Sequence, residues 1–134
     1  MVGKMTDEEL IALAAQARAR AYAPYSQFAV GAALLAKSGR VYTACNVENV
    51  SYGLAVCAER AAVFKAISEG EREFEAIAVV TETGVTPCGA CRQVLREFGE
   101  DIRVIVADAS GRHRVFSLRE LLPEAVAPEN LIEK

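Results

Sequence analysis

Three features of the chain predict an α/β fold, a single-domain three-layer α-β-α sandwich around a mixed five-stranded sheet. Four apolar runs of strand length and one short partner strand are interleaved with helical segments, in the order α-β-β-α-β-α-β-β-α. Gly39, Gly70, Gly99 and Gly111 each fall between two such segments, where turns belong. The 134 residues suffice to bury one core without metal or disulfide staples, and no repeat, low-complexity tract or linker divides residues 1–134.

The first helix is expected over 7–22, opened by the capping box Thr6-Asp7-Glu8-Glu9. Leu10, Leu13, Ala14, Ala17 and Ala21 share one face, and Pro24 ends the helix. The loop 23–28 delivers Phe28 to a strand over 29–36, and Lys37-Ser38-Gly39 turns the chain into a second strand over 40–45. A polar loop over 46–52 leads to a helix over 56–69 that Gly70 closes. A buried strand over 74–81 follows, with Pro87 just ahead of a helix over 89–98 that stops at Gly99. Residues 103–107 form another buried strand, turned by 108–112 into a short partner at 113–116. Ser117 caps a last helix through Leu121, and the polar tail beyond Pro123 belongs on the surface or against a subunit neighbour.

Hydrophobic residues make up 52% and charged residues 25%, which suits a soluble globular protein with a somewhat apolar surface and so favours oligomers. A net charge of −3 and a pI of about 5.3 give no general attraction to nucleic acid or anionic membrane. The short basic cluster Arg112-His113-Arg114 reads as a solvated hairpin. Residues 1–9 lack the apolar region of a secretory signal, and the longest apolar run, 28–36, is less than half the roughly twenty residues of a membrane span. A cytoplasmic location is expected, where four cysteines act as thiolate ligands or buried thiols rather than disulfides.

The chemistry concentrates in Cys57-Ala58-Glu59 at one helix start and Pro87-Cys88-Gly89-Ala90-Cys91 at another. Three soft ligands with a fourth position open is the pattern of a catalytic zinc site, whereas a structural site closes all four. Helix N-termini favour thiolates at these positions through free amides and the positive end of the dipole. Glu59, two residues beyond Cys57, is placed to move the proton of a metal-activated water. Three thiolates leave the cluster near −1, so Arg60, with Arg92 or Gln93, is needed to donate hydrogen bonds to the sulfurs. Competing readings are a closed zinc knot with Cys45 or His113 as fourth ligand, a thiol redox module built on the C-x-x-C spacing, and a binding module without catalysis.

These segments, with Phe28-Ala29-Val30-Gly31, Asn46-Val47-Glu48-Asn49, Cys91-Arg92-Gln93 and Glu120-Leu121-Leu122-Pro123, resemble the small homotetrameric zinc-dependent cytidine deaminases over nearly the whole chain. The resemblance implies one Zn²⁺ per chain on Cys57, Cys88 and Cys91, Glu59 as the proton shuttle, and hydrolysis of cytidine and 2′-deoxycytidine for pyrimidine salvage. It assigns sulfur neutralisation to Arg60, with Gln93 rather than Arg92 as helper, and orientation of the base to the Pro87 carbonyl and the Ala58 amide. Phe28 matches the family's base-stacking aromatic, and Asn46 and Glu48 match its ribose contacts. Tyr52 falls in a loop the family uses at subunit contacts, and active sites completed across a homotetramer are implied. Val126 stands where the family usually carries a phenylalanine that reaches a neighbour's base, so a weaker hold on nucleoside is expected. A related three-cysteine deaminase of a cytosine-containing antibiotic nucleoside is the alternative within this chemistry; the Asn46–Asn49 segment favours the plain nucleoside.

Overall fold

The computed structural model describes residues 5–132. Thr6 and Glu9 form the capping box, with Glu9 N donating to Thr6 Oγ1 and Thr6 N to Glu9 Oε1, and open α1 (Asp7–Arg18). The helix ends at Arg18 rather than near residue 22. Ala19 N and Arg20 N turn back on the third carbonyl behind them, and Tyr22 leaves to pair with residue 47, its amide donating to Asn46 O at 3.0 Å. Strand pairing, not Pro24, therefore sets the boundary.

A sheet of order β2-β1-β3-β4-β5 forms the middle layer. β1 (Gly31–Ala36) pairs antiparallel with β2 (Val41–Cys45) across the turn at Gly39, and antiparallel with β3 (Phe74–Val80) on its other edge. β3 runs parallel to β4 (Arg103–Ala107), which pairs antiparallel with β5 (His113–Ser117). The predicted mixed five-stranded sheet is thus present, with β1 starting two residues later than the apolar run. Ala29 and Val30 are held mainly by side chains: Arg18 Nε donates to Ala29 O at 3.0 Å and Val30 N to Asn46 Oδ1 at 2.9 Å, while Asn46 N donates to Val30 O at 3.2 Å.

All six residues of β1 are buried because both faces of the sheet are covered. On one face Leu34, Ile77, Val79 and Val104 pack with Ala62, Val63 and Ala66 of α2 (Ala58–Ser68) and with Leu95 of α3 (Gly89–Arg96). On the other, Ala33, Ala76, Ala78 and Ile105 meet Leu10 and Ala14 of α1. Alanines dominate this second layer, so α1 comes very close. A Cβ built on Gly31 would stand 2.0 Å from Ala14 O and 2.5 Å from Arg18 N, which only glycine avoids.

α3 ends at Arg96, two residues short of expectation, as Phe98 N tightens onto Leu95 O. Ser117 and Glu120 form a second capping box on α4 (Leu118–Leu121). The tail adds an unforeseen short helix, α5 (Pro128–Leu131), with Pro128 in its first turn and Asn130 Oδ1 accepting from Ala127 N. No helix of the described residues is long and apolar enough to cross a membrane.

Candidate active site

Two helix starts converge at one end of the sheet. Val47 and Val56 exchange backbone hydrogen bonds, which closes the loop after β2 and brings Cys57 to the N-cap of α2. Thr81, buried just after β3, accepts from Gly84 N and Val85 N and so starts the turn that leads to Cys88, the N-cap of α3. Neither cysteine uses its sulfur to cap its own helix, which leaves both free to face Cys91.

The three sulfurs lie within 4.8 Å of one another, Cys57 to Cys88 at 4.0 Å and Cys88 to Cys91 at 3.4 Å. Tetrahedral zinc with bonds of about 2.3 Å needs sulfurs about 3.8 Å apart, so the donor set fits the metal in identity and spacing. Among the described residues, no further His, Cys, Asp or Glu joins the group; Cys45 and His113 lie outside it, which leaves a closed knot without its fourth ligand. The trio is primed electrostatically. Hydrogen bonding from the Cys91 thiol, against the cost of burial and with help from Arg60, holds the Cys57 thiol well below its ordinary value. Cys91, which gives up that bond and is buried, shifts the opposite way.

Arg60 reaches back one turn of α2 and donates from Nη2 to Cys57 Sγ at 3.5 Å. Its Nε is buried without a partner, a donor in reserve beside the sulfurs. Gln93 does not assist. Its Nε2 donates to Val126 O at 2.9 Å and ties the tail to α3, because the next position along the helix points away from the cluster toward the tail. Arg92 likewise leaves the sulfurs alone and bonds to Thr86, Pro87 and Leu121.

Glu59 is 5% exposed and stands on the first turn of α2, outside the ligand group. Burial pushes its carboxyl up to about 7; the Cys57 charge adds to this, while its own backbone amide and Arg60 oppose it. A carboxyl poised there can both take and return a proton near neutral pH. Ala58, first residue of α2, has an amide with no intrahelical acceptor.

The remaining predicted positions gather on two loops. Asn46 spends its carboxamide on the loop before β1, with Nδ2 donating to Phe28 O at 2.9 Å and Oδ1 accepting from Val30 N. Glu48 accepts from Tyr25 N, Ser26 N and Ser26 Oγ, which holds its carboxyl below the ordinary carboxylate value. Both side chains therefore shape the segment that presents Phe28, itself partly exposed, a role the spacing alone did not disclose. A concavity of about 310 Å³ lies between the loops, lined by Tyr25, Ser26, Glu48, Asn49, Tyr52 and Ala55. The sulfurs and Glu59 do not line it. Tyr52 is 76% exposed with its ring edge-on to Tyr25, and Val126 is 55% exposed.

Comparison with known proteins agrees with this geometry. Residues 4–108 match the family model of the cytidine and deoxycytidylate deaminase zinc-binding region. A cytidine deaminase of Sporosarcina psychrophila is 49% identical over 130 residues, covering 95% of this chain and 96% of that protein. One from Halalkalibacterium halodurans is 51% identical over 130 residues, covering 95% and 98%. The crystal structure of cytidine deaminase from Burkholderia pseudomallei superposes with a TM-score of 0.88 at 52% identity, covering 91% of this chain and all of that one. Family model, relatives and fold agree with the sulfur trio and its buried carboxyl: the chain belongs to the cytidine and deoxycytidylate deaminase family.

Proposed function

We propose that this chain, as a single domain, hydrolyses cytidine and 2′-deoxycytidine to the uracil nucleosides and ammonia, in pyrimidine salvage in the cytoplasm. The observation that carries the reading is the buried Glu59, poised near neutrality one residue past the start of α2 and beside three convergent sulfurs. Cys57, Cys88 and Cys91 would hold the zinc, whose Lewis acidity would make water nucleophilic near pH 7. Glu59 takes one proton from the attacking water and gives it to ring N3. It then carries the second proton to the amine at C4, which leaves as ammonia while the oxygen of water stays on the ring. Arg60 neutralises Cys57, which keeps the cluster from becoming too electron-rich to polarise water.

The Pro87 carbonyl and the Ala58 amide orient the base, Phe28 stacks on it, and Asn46 and Glu48 receive the sugar hydroxyls. Hydrogen bonds from Asn46 to Phe28 and from Tyr25 and Ser26 to Glu48 bring the two loops together, with Glu48 on the concavity beside them, which supports that assignment. A homotetramer is part of this reading, and the exposed apolar side chains Val50, Tyr52, Leu54 and Leu131 are available for its subunit contacts. Light scattering of the purified protein checks the assembly; a monomer would count against it. The chemical reading is tested with Glu59→Gln: one zinc per chain retained, with ammonia release from cytidine lost by at least about 100-fold. Turnover within threefold of wild type would overturn it.

A further inference from the structure

We infer that Arg92 is a positioning residue that locks the metal-ligating loop to α4. Its kinetic consequence rests on the deaminase reading, but its geometry does not. Arg92 follows Cys91 on α3, yet its side chain folds back past the helix start. Nε donates to the Pro87 carbonyl at 2.7 Å, Nη2 to Thr86 Oγ1 at 2.8 Å, and Nη1 to the Leu121 carbonyl at 2.7 Å. All three nitrogens of one half-buried cation are engaged, at the lengths of charge-assisted bonds.

The acceptors explain the consequence. Thr86 and Pro87 are the two residues ahead of the ligand Cys88, and the stretch before them is tied through Thr81, Glu82, Gly84 and Val85. Among the described residues, no hydrogen bond other than those of Arg92 fixes Thr86 or Pro87. Proline has no N–H, so its carbonyl is the one hydrogen-bonding handle on that part of the backbone. Arg92 holds the handle, and with it the direction of the carbonyl and the placement of Cys88. A carbonyl has two lone pairs, so one is left for the base while Arg92 occupies the other. The third bond closes a terminal carbonyl of α4, which makes loop and helix one unit. Lysine offers a single ammonium and cannot span three acceptors held in a planar fork.

The test uses zinc-loaded Arg92→Lys alongside Thr86→Val, which removes one bond of the three. Three quantities are read: zinc affinity against a chromophoric chelator, the sulfur-to-metal charge-transfer bands of the cobalt(II)-substituted protein, and kcat for cytidine at saturating zinc. Arg92→Lys is expected to hold zinc about 10- to 100-fold more weakly, to shift the cobalt bands, and to lose about 10-fold in kcat. Thr86→Val is expected to move all three the same way by less, and it carries the test alone if Arg92→Lys does not fold. A role confined to the scaffold would lower Tm while leaving affinity and cobalt bands of the folded protein at wild-type values, and that result overturns the inference. If wild-type protein turns over no cytidine, the deaminase reading fails, while zinc affinity and the cobalt spectrum still decide the role of Arg92.

Discussion

Replacing Gly31 with alanine inverts the usual sign of that substitution. In an ordinary strand the change stabilises by roughly 0.5–1 kcal/mol, because alanine loses less backbone freedom on folding than glycine. Here the added Cβ would stand 2.0 Å from Ala14 O, 2.5 Å from Arg18 N and 2.8 Å from Arg18 Cβ. Real Cβ atoms essentially never come within 3.0 Å of a neighbour, so α1 must retreat by at least 1.0 Å. The obstacle is helix backbone, which has no rotamer to offer. A gap of that size forfeits a quarter to a half of each dispersion contact along the seam where Leu10 and Ala14 are buried. Overpacking of this kind costs about 3 kcal/mol, which outweighs the entropic gain several-fold. Urea denaturation followed by circular dichroism is expected to show a loss of about 2–3 kcal/mol, with Tm lower by roughly 10 °C. The retreat also pulls Arg18 Nε from Ala29 O, so the KM for cytidine is expected to rise as the Phe28 loop loosens. An alanine variant as stable as wild type, or more so, would refute the close approach of α1 to β1.

Further outcomes follow from the same structure. Asn46→Ala removes the bonds to Phe28 O and Val30 N; a stability loss of about 1–2 kcal/mol in urea and a raised cytidine KM are expected. Val126→Phe, which restores the family's aromatic, is expected to lower the KM for cytidine, and an unchanged KM would count against a tail contribution to nucleoside binding. In the metal-free chain Glu59 has a folded pKa of about 7, raised above its ordinary 4.5. Its contribution to stability is therefore complete below pH 4.5 and is lost as the pH rises through 7. Glu59→Gln abolishes that dependence, so denaturation at pH 8 is expected to show the metal-free variant more stable than wild type by about 3 kcal/mol, with no difference of that size at pH 4.

Much of the fold was legible because local signals and burial agree. Thr6/Glu9 and Ser117/Glu120 are capping boxes in sequence and in space, and the apolar runs at β1, β3 and β4 become the buried strands of the expected mixed sheet. The sulfur trio was legible for a similar reason, since Cys57, Cys88 and Cys91 each fall within the first turn of a helix or at its cap. What stayed hidden depends on tertiary partners. Tyr22 ends α1 early by joining Asn46 and Glu48, a contact no helical period encodes. Gln93 and Arg92 are neighbours in sequence with donors of similar reach, yet one takes the tail at Val126 and the other the loop at Pro87. Spacing along α3 says which side chains are near its start, not which acceptor each will find. The four-residue α5 was missed because one turn of helix leaves no periodicity to read.

The central claim is that three sulfurs hold a zinc that, with Glu59, removes the amine of cytosine. Ultraviolet absorbance of cytidine mixed with purified protein, before and after a chelator strips the metal, tests it most directly. Decay of the cytosine band in the zinc-loaded sample, its absence in the stripped one, and recovery on adding zinc back are predicted. An undiminished band with one zinc bound per chain, or equal decay without metal, would contradict the account.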